Sequence, residues 1–504
     1  MNAIQVAVFL AITAAIAFAT YLHCRGQRTG TDEGRDYFLA NGGLAWYFVA
    51  GSITLTNLST DQLVSMNGNQ MLLVAWWELA AVVGLFILAF VFLPVYYRNN
   101  CTTTTELLQK KYGDKNIRAL ISVLFLAGNL FIFLPAILYG GSRFFLSLLE
   151  MDGGLSNILM VSVVLATVGA AYAIFGGLRA VAVSDTYSGV LILGLAILVV
   201  VLALNQIDWD LSGIPAERLT LVGDSDSDIP WHTLLTGMIF IQTFYWSTNQ
   251  TITQRAMASP TIKEAQKGVM AAAAIRLLIV PMIVVVPGIV AFKLFGDVPQ
   301  DGAYGAIVGA VLPPWLSGAF AAALFAAALT TFNSILNASA ALYVCDLHEA
   351  YVGKAKRVGR LGAVVSIIMS LLALALVPFF ASQESLINTV QTLYGLLSMP
   401  ILSAFIVGLA FRNVDARAAM IGVITGVIFY GFWAAPAELT WVVNARVAAM
   451  EALGTTGLLS VHYIHWMACT LLICVFTSLL MNRLVFGRSA ELAIGRGDPQ
   501  PVGA

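Results

Sequence analysis

The sequence predicts an all-α integral membrane protein of about thirteen transmembrane helices, built as two inverted five-helix repeats whose first helices are interrupted. Three observations predict it. The composition is too apolar for a water-facing surface, the basic residues alternate from loop to loop, and polar clusters sit inside two corresponding apolar spans.

Of 504 residues, 59% are hydrophobic and 11% are charged, and the mean hydropathy is +0.85. A soluble domain carries about 25% charged residues. A formal net charge of −1 provides no bulk attraction for nucleic acid. Cys24, Cys101, Cys345, Cys469 and Cys474 are odd in number and lack a CxxC spacing, which argues against a disulfide framework. Residues 2–23 have no basic leading segment and no small-residue cleavage site before the arginines, so they read as a retained first helix.

A bilayer core needs about 20 apolar residues per helix. Thirteen stretches qualify: 4–23, 45–69, 71–96, 117–149, 155–177, 185–204, 232–256, 268–295, 315–346, 358–383, 389–411, 417–436 and 461–485. With the N-terminus outside, 21 of the 26 Lys and Arg fall in inside segments. Only Arg218, Lys293 and Arg446 fall outside, while Arg143 and Arg276 lie within spans. This distribution predicts a multi-pass protein of the inner (plasma) membrane with its N-terminus outside and its C-terminus cytoplasmic. Residues 1–485 then form one membrane domain: an extra N-terminal helix in 1–30, a first repeat over 45–204, an inverted second repeat over 232–411, and two further helices over 417–485. Residues 486–504 read as a short, disordered cytoplasmic tail.

Polar residues are expensive inside a bilayer and mark pathways. The second span carries Ser52, Thr54, Thr56, Asn57, Ser59, Thr60, Asp61 and Gln62. Such side chains compete with the helix for its own backbone groups, so a break is expected here, with freed carbonyls satisfied by an ion, a solute or protein. In the ninth span Ala327, Thr330, Thr331 and Ser334 share one helix face by their i, i+3, i+4, i+7 spacing, with Asn333 and Asn337 beside them. A neutral hydroxyl face serves equally to hold a monovalent cation weakly or to pack helices closely. In the seventh span Gln242, Phe244, Tyr245, Trp246, Asn249 and Gln250 set aromatic rings beside amides. Rings cover the apolar face of a sugar while amides bond its hydroxyls; an interfacial aromatic belt would need no such amides. Glu78, Asp185, Arg276 and Gln391 are isolated in or beside apolar spans, and a shared central cavity is their simplest partner. The interrupted second and seventh spans are five helices apart. Five is odd, so the repeats are inverted, and paired interruptions point to a transport site at mid-membrane.

The chain resembles the sodium:solute symporter family, specifically its bacterial sodium/sugar branch, with the leucine-transporter-type fold. The resemblance is carried by Asp36-Tyr37-Phe38-Leu39-Ala40; Thr56-Asn57-Leu58-Ser59-Thr60-Asp61-Gln62; Gly176-Gly177-Leu178-Arg179-Ala180 with Asp185; Phe244 to Gln250 with Gln254-Arg255; Glu264-Ala265-Gln266-Lys267-Gly268; and Thr330-Thr331-Phe332-Asn333-Ser334-Ile335-Leu336-Asn337. It implies a sodium-coupled symporter importing a small polar solute, a monosaccharide above all, by alternating access. It further implies a sodium site formed by the carbonyls of Leu55, Leu58 and Ala327 and the hydroxyls of Thr330 and Thr331. A second sodium would use Asp185 with Thr330, Asn333 and Ser334, although Asn333 departs from the usual hydroxyl. The implied solute residues are Asn57, Gln62, Glu78, Gln242, Asn249, Arg276 and Gln391, with Tyr245 closing the pocket on its inner side and Trp77 and Trp246 as aromatic walls. Trp77 stands where some members have Tyr, the segment from Gln62 to Glu78 is shorter, and a fourteenth helix found in some members is missing. Arg276 replaces a lysine; its fixed fork suits carboxylates, which makes a sugar acid the alternative solute. A proton-coupled sugar symporter, with Glu78 or Asp185 as carrier, is the alternative coupling.

Other classes fit less well. The polar residues cluster at mid-membrane instead of lining a channel. The sequence has no nucleophile–base constellation, so an enzyme is not expected, and no cofactor is implied beyond sodium as coupling ion. His462 and His465 are three apart with no third ligand in view, so no transition metal is expected. The expected partners are the solute, sodium and the lipid bilayer.

Overall fold

The computed structural model describes residues 3–25, 38–58, 60–148, 151–296, 298, 302–383, 386–434 and 440–493, without the side chains of 41, 61, 148, 172–177, 387 and 388. Asp36, Tyr37, Ser59, the Asp61 side chain and the tail beyond 493 therefore lie outside the described residues.

The chain is helical nearly throughout. The first helix, α1 (Ala3–Cys24), is peripheral and rests on the later helix α12 (Pro314–Tyr351). The second span divides into α2 (Trp46–Asn57) and α3 (Thr60–Asn69). There follow α4 (Leu72–Arg98), a short helix α5 (Thr104–Tyr112) and α6 (Lys115–Ser147). Next, α7 (Leu155–Gln206) runs as one 52-residue helical stretch. At about 1.5 Å per residue this is far longer than one crossing, so it accounts for both predicted spans 155–177 and 185–204, and the expected loop near Arg179 is helical instead. The seventh span divides into α8 (Gly237–Ser247) and α9 (Gln250–Met257). The remainder comprises α10 (Ile262–Phe295), α11 (Ala303–Val311), α12, α13 (Val358–Ala381), α14 (Leu386–Ala410), α15 (Ala416–Trp433), α16 (Thr440–Ala452) and α17 (Tyr463–Leu484).

Ten helices among the described residues are long and apolar enough to cross a membrane, and Leu155–Ala171 is a shorter apolar one. The two divided spans are not among them: their halves run 12, 10, 11 and 8 residues and carry many hydroxyls and amides. Helices α5, α11 and α16 lie between spans and were not expected. Part of the tail also differs from expectation. Glu491–Leu492 pairs antiparallel with Phe411–Arg412, and Asn482 donates to the carbonyls of Asn413 and Arg488, so backbone pairing docks the start of the tail.

Each interruption has a local cause. At the end of α2, Leu58 leaves helical geometry (φ −74°, ψ 72°) within a run of hydroxyl and amide side chains that compete for backbone groups. At the end of α8, Thr248 and Asn249 are extended or irregular, and the Asn249 side chain accepts from the N–H of Thr251 as the cap of α9. A third irregularity is repaired by a side chain. Pro287 cannot donate to the Ile283 carbonyl four residues earlier; Asn67 of α3 donates to that carbonyl at 3.1 Å and accepts from the N–H of Gly288 at 2.9 Å. A Cβ at Gly288 would sit 2.0 Å from the Asn67 carbonyl oxygen, so only glycine permits this approach. The repair anchors α3 to α10.

Candidate functional site

The break between α2 and α3 faces α12. Leu324, Ala327 and Thr331 lie one turn apart on one face of α12. The Leu324 carbonyl accepts from Thr60 at 3.0 Å, the Ala327 carbonyl accepts from Thr330 at 3.0 Å, and Thr331 donates to the Leu55 carbonyl at 3.4 Å. Leu55, Leu58 and Ala327 are fully buried. A main-chain oxygen of the broken helix and hydroxyls from α12 therefore meet in a buried locus. Weak neutral oxygen ligation of this kind suits a monovalent cation that must also leave.

Asp185 of α7 is buried nearby and Thr330 approaches it. Its carboxylate accepts from Ser52, and Arg255 stands 3.9 Å away. Ser334 instead donates to the Thr330 carbonyl at 2.6 Å, and among the described residues both polar atoms of Asn333 have no hydrogen-bond partner. Among the described residues neither Asn333 nor Ser334 bonds Asp185. The aspartate already has a cation beside it.

One cavity gathers nearly all the predicted solute residues. Asn57, Gln62, Trp77, Glu78, Gln242, Tyr245, Trp246, Asn249 and Gln391 line it. Asn57 donates to the Tyr245 hydroxyl at 3.0 Å, Asn249 donates to the Tyr394 hydroxyl at 3.0 Å, and Trp246 donates to Gln242 at 2.9 Å. The rings of Tyr245 and Tyr394 meet edge to face, 5.9 Å between centroids. Among the described residues, three lining oxygens, Thr56 Oγ1, Asn57 Oδ1 and Gln62 Oε1, are buried without a partner. A buried polar atom left in that condition costs about 1–3 kcal/mol, so a solute that donates hydrogen bonds would be drawn to them. Thr331 lines the same cavity, which places one hydroxyl at both the ion locus and the solute space.

Arg276 is the one predicted solute residue that does not line the cavity. It is fully buried behind the wall. Its guanidinium pairs with Glu78, donates to the Thr54 carbonyl at 3.1 Å, and lies 4.3 Å from the Trp246 ring centroid. Glu78 also accepts from Gln62. Glu78, which does reach the cavity, is thus neutralised from behind, and both terminal nitrogens of the arginine are engaged, while its Nε has no partner among the described residues.

Sequence reasoning missed Tyr394, Phe133 and Thr251, all of which line the cavity, and placed Thr56 in the polar run without giving it to the solute. Tyr394 could have been found, because it is three residues from Gln391 and so shares its helix face. Phe133 lies in a π-helical turn of α6 (Asn129–Phe133), which an apolar run does not reveal. His232 was also unpaired in the sequence; it stacks on His465, with ring nitrogens 2.7 Å apart. Among the described residues no three His, Cys, Asp or Glu side chains converge as a metal cage.

Comparison with known proteins gives a consistent picture. The model of the sodium:solute symporter family matches residues 37–426. The uncharacterized symporter YidK of Escherichia coli (strain K12) is 32% identical, over 85% of this chain and 78% of its own. The sodium/glucose cotransporter of Vibrio parahaemolyticus is 29% identical, over 85% of this chain and 84% of its own. Sodium/myo-inositol cotransporter 2 of Mus musculus is 28% identical, over 80% and 66%. Among solved structures, the outward-open state of a sodium-coupled sialic acid symporter superposes with a TM-score of 0.77 at 18% identity, covering 96% of this chain and 98% of that one. MhsT in complex with L-phenylalanine superposes with a TM-score of 0.51 at 14% identity, covering 86% of this chain and 98% of that one. At these identities the structures establish the shared fold alone.

Proposed function

Because this chain belongs to the sodium:solute symporter family, we propose that it imports a neutral polyhydroxy solute, a monosaccharide or cyclic polyol, together with one sodium ion by alternating access. The chain sits in the inner membrane with its N-terminus outside and its C-terminus cytoplasmic. The observation that carries the solute class is the cavity itself: aromatic walls, amides, and three unpartnered acceptor oxygens at Thr56, Asn57 and Gln62, which match hydroxyl donors. Relatives named for glucose and myo-inositol transport support the same class. The sugar-acid reading rests on Arg276 as a carboxylate fork, and the Glu78 pair argues against it.

Sodium would be held by the carbonyls of Leu55, Leu58 and Ala327 and by Thr330 and Thr331, so that it joins the broken α2–α3 to α12. That favours the outward-open state and shapes the adjoining pocket, of which Thr331 is part. Closure over the solute rocks one helix bundle against the other. One ion at about −120 mV with about a tenfold sodium gradient supplies roughly 4 kcal/mol, or about a thousandfold accumulation. A second ion at Asp185 would have to share the carboxylate with Arg255, which supports a single coupling ion.

The test is uptake into proteoliposomes against neutral hexoses, cyclic polyols and sugar acids, driven by sodium or by a pH gradient. Sodium-driven accumulation of a neutral member is expected. Preference for the acids, or uptake that follows pH and ignores sodium, would overturn the reading.

A further inference from the structure

Gln250 lies between two cavity-lining residues, Asn249 and Thr251, yet it faces away from the cavity. Its side-chain oxygen accepts from the main-chain N–H of Thr104 at 2.8 Å, and both residues are buried. Thr104 is the first residue of α5, where a helix leaves its N–H groups without internal acceptors. The residues on either side of Thr104 turn to a different partner. Thr103 donates to Asp346 at 2.7 Å, and Thr105 donates to its other oxygen. Asp346, fully buried near the end of α12, also accepts from Ser122 at 2.5 Å and from Arg118 at 2.7 Å. Glu106 closes the turn by accepting from the N–H of Thr102 at 2.7 Å. The short strap 102–105 is therefore anchored through Asp346 to the helix that carries Thr330 and Thr331, and it reaches α9 through the bond at Gln250.

We propose that Gln250 is a positioning residue for the transport cycle, and that its bond to Thr104 is an inner latch holding the start of α9 against the strap anchored by Asp346. The latch lies at the end of the bundle that the basic residues assign to the cytoplasm, with Lys110 and Lys111 on α5 and Arg255 on α9. For the cavity to open toward that end, α9 must part from the scaffold built on α6 and α12. The Gln250 bond crosses that boundary, so it favours the state closed on the inner side. The inference rests on the alternating-access reading, although it does not depend on which solute is carried.

Two substitutions isolate the bond. Thr104→Pro removes the N–H, and with it a buried hydroxyl that makes no hydrogen bond among the described residues. Proline is favoured at the first helical position, and Thr103, at φ −119° and ψ 155°, already has the extended geometry required before proline. Gln250→Met removes the acceptor at nearly constant size. Each would be made in full-length protein carrying Val390→Cys, a cavity position, and labelled in inside-out vesicles with a membrane-impermeant thiol reagent, against the same chain without that cysteine. Loss of one neutral hydrogen bond should speed sodium-free labelling about two- to tenfold, and should raise the sodium needed for half-maximal uptake by a similar factor. The double variant should go no further than either single one. Unchanged labelling and sodium requirement in both variants, or additive effects in the double, would overturn the latch. Should Thr104→Pro fail to fold, Gln250→Met decides on the same two readouts. Labelling needs no solute, so a failed sugar panel with an intact labelling shift supports the latch and overturns only the solute reading.

Discussion

At the first interruption, between Asn57 and Thr60, the chain bonds another helix in both directions: the Leu55 carbonyl accepts from Thr331, while the Thr60 hydroxyl donates to the Leu324 carbonyl. At the second, between Ser247 and Gln250, the chain caps itself, with Asn249 accepting from the N–H of Thr251 while its amide group donates to Tyr394. The two breaks occupy corresponding places in inverted repeats and differ in what they leave available. Main-chain oxygens left beside a break are dipoles that can bind a cation. A self-capped break spends its backbone groups internally and becomes a rigid mount for side chains. The first presents a main-chain oxygen beside Thr331 as well as the cavity-lining Thr56, Asn57 and Gln62, while the second contributes side chains such as Tyr245 and Asn249, and Thr331 lies at both the first break and the cavity.

The sharpest way to break this comparison is to unbalance the charge behind the second interruption. Glu78→Gln leaves Arg276 buried without its carboxylate, and removing one partner of a buried pair costs about 3–5 kcal/mol. A large drop in thermal stability in detergent is expected, together with a shift in uptake from neutral sugars toward sugar acids. Wild-type stability would show that the pair does not hold α4 against α10. Thr331→Ala acts at the first interruption and should raise the half-saturating sodium concentration on the order of tenfold. If sodium dependence stays unchanged, the ion does not bind at that break.

Two smaller changes sharpen the contrast. Asn249→Ala should cost about 1 kcal/mol of cap energy, measurable as a lower unfolding temperature. It should also weaken solute affinity while leaving the sodium requirement nearly unchanged. An equal shift in both would mean that the two breaks are not specialised. Tyr245→Phe removes only the hydroxyl that accepts from Asn57 and keeps the ring against Tyr394. A two- to fivefold rise in the solute concentration for half-maximal uptake is expected, with maximal rate preserved. A complete loss of transport would assign Tyr245 more than a pocket wall.

Much of this was legible in the residues because membrane burial imposes local rules. Apolar length marked the spans, hydroxyl and amide runs marked both breaks, and the spacing of Ala327, Thr330 and Thr331 placed them on one face. These signals arise within a single helix, where backbone satisfaction and helical period act at short range. Pairing across helices has no such signature. That Arg276 is consumed by Glu78, that Asn67 repairs the break at Pro287, that Tyr394 and Phe133 enclose the cavity, and that Asp346 gathers three hydroxyls and an arginine were all decided by packing. Each of those partners is more than ten residues distant in sequence, and a side chain's charge or hydrogen bond becomes available or spent only when the tertiary structure sets what stands opposite it.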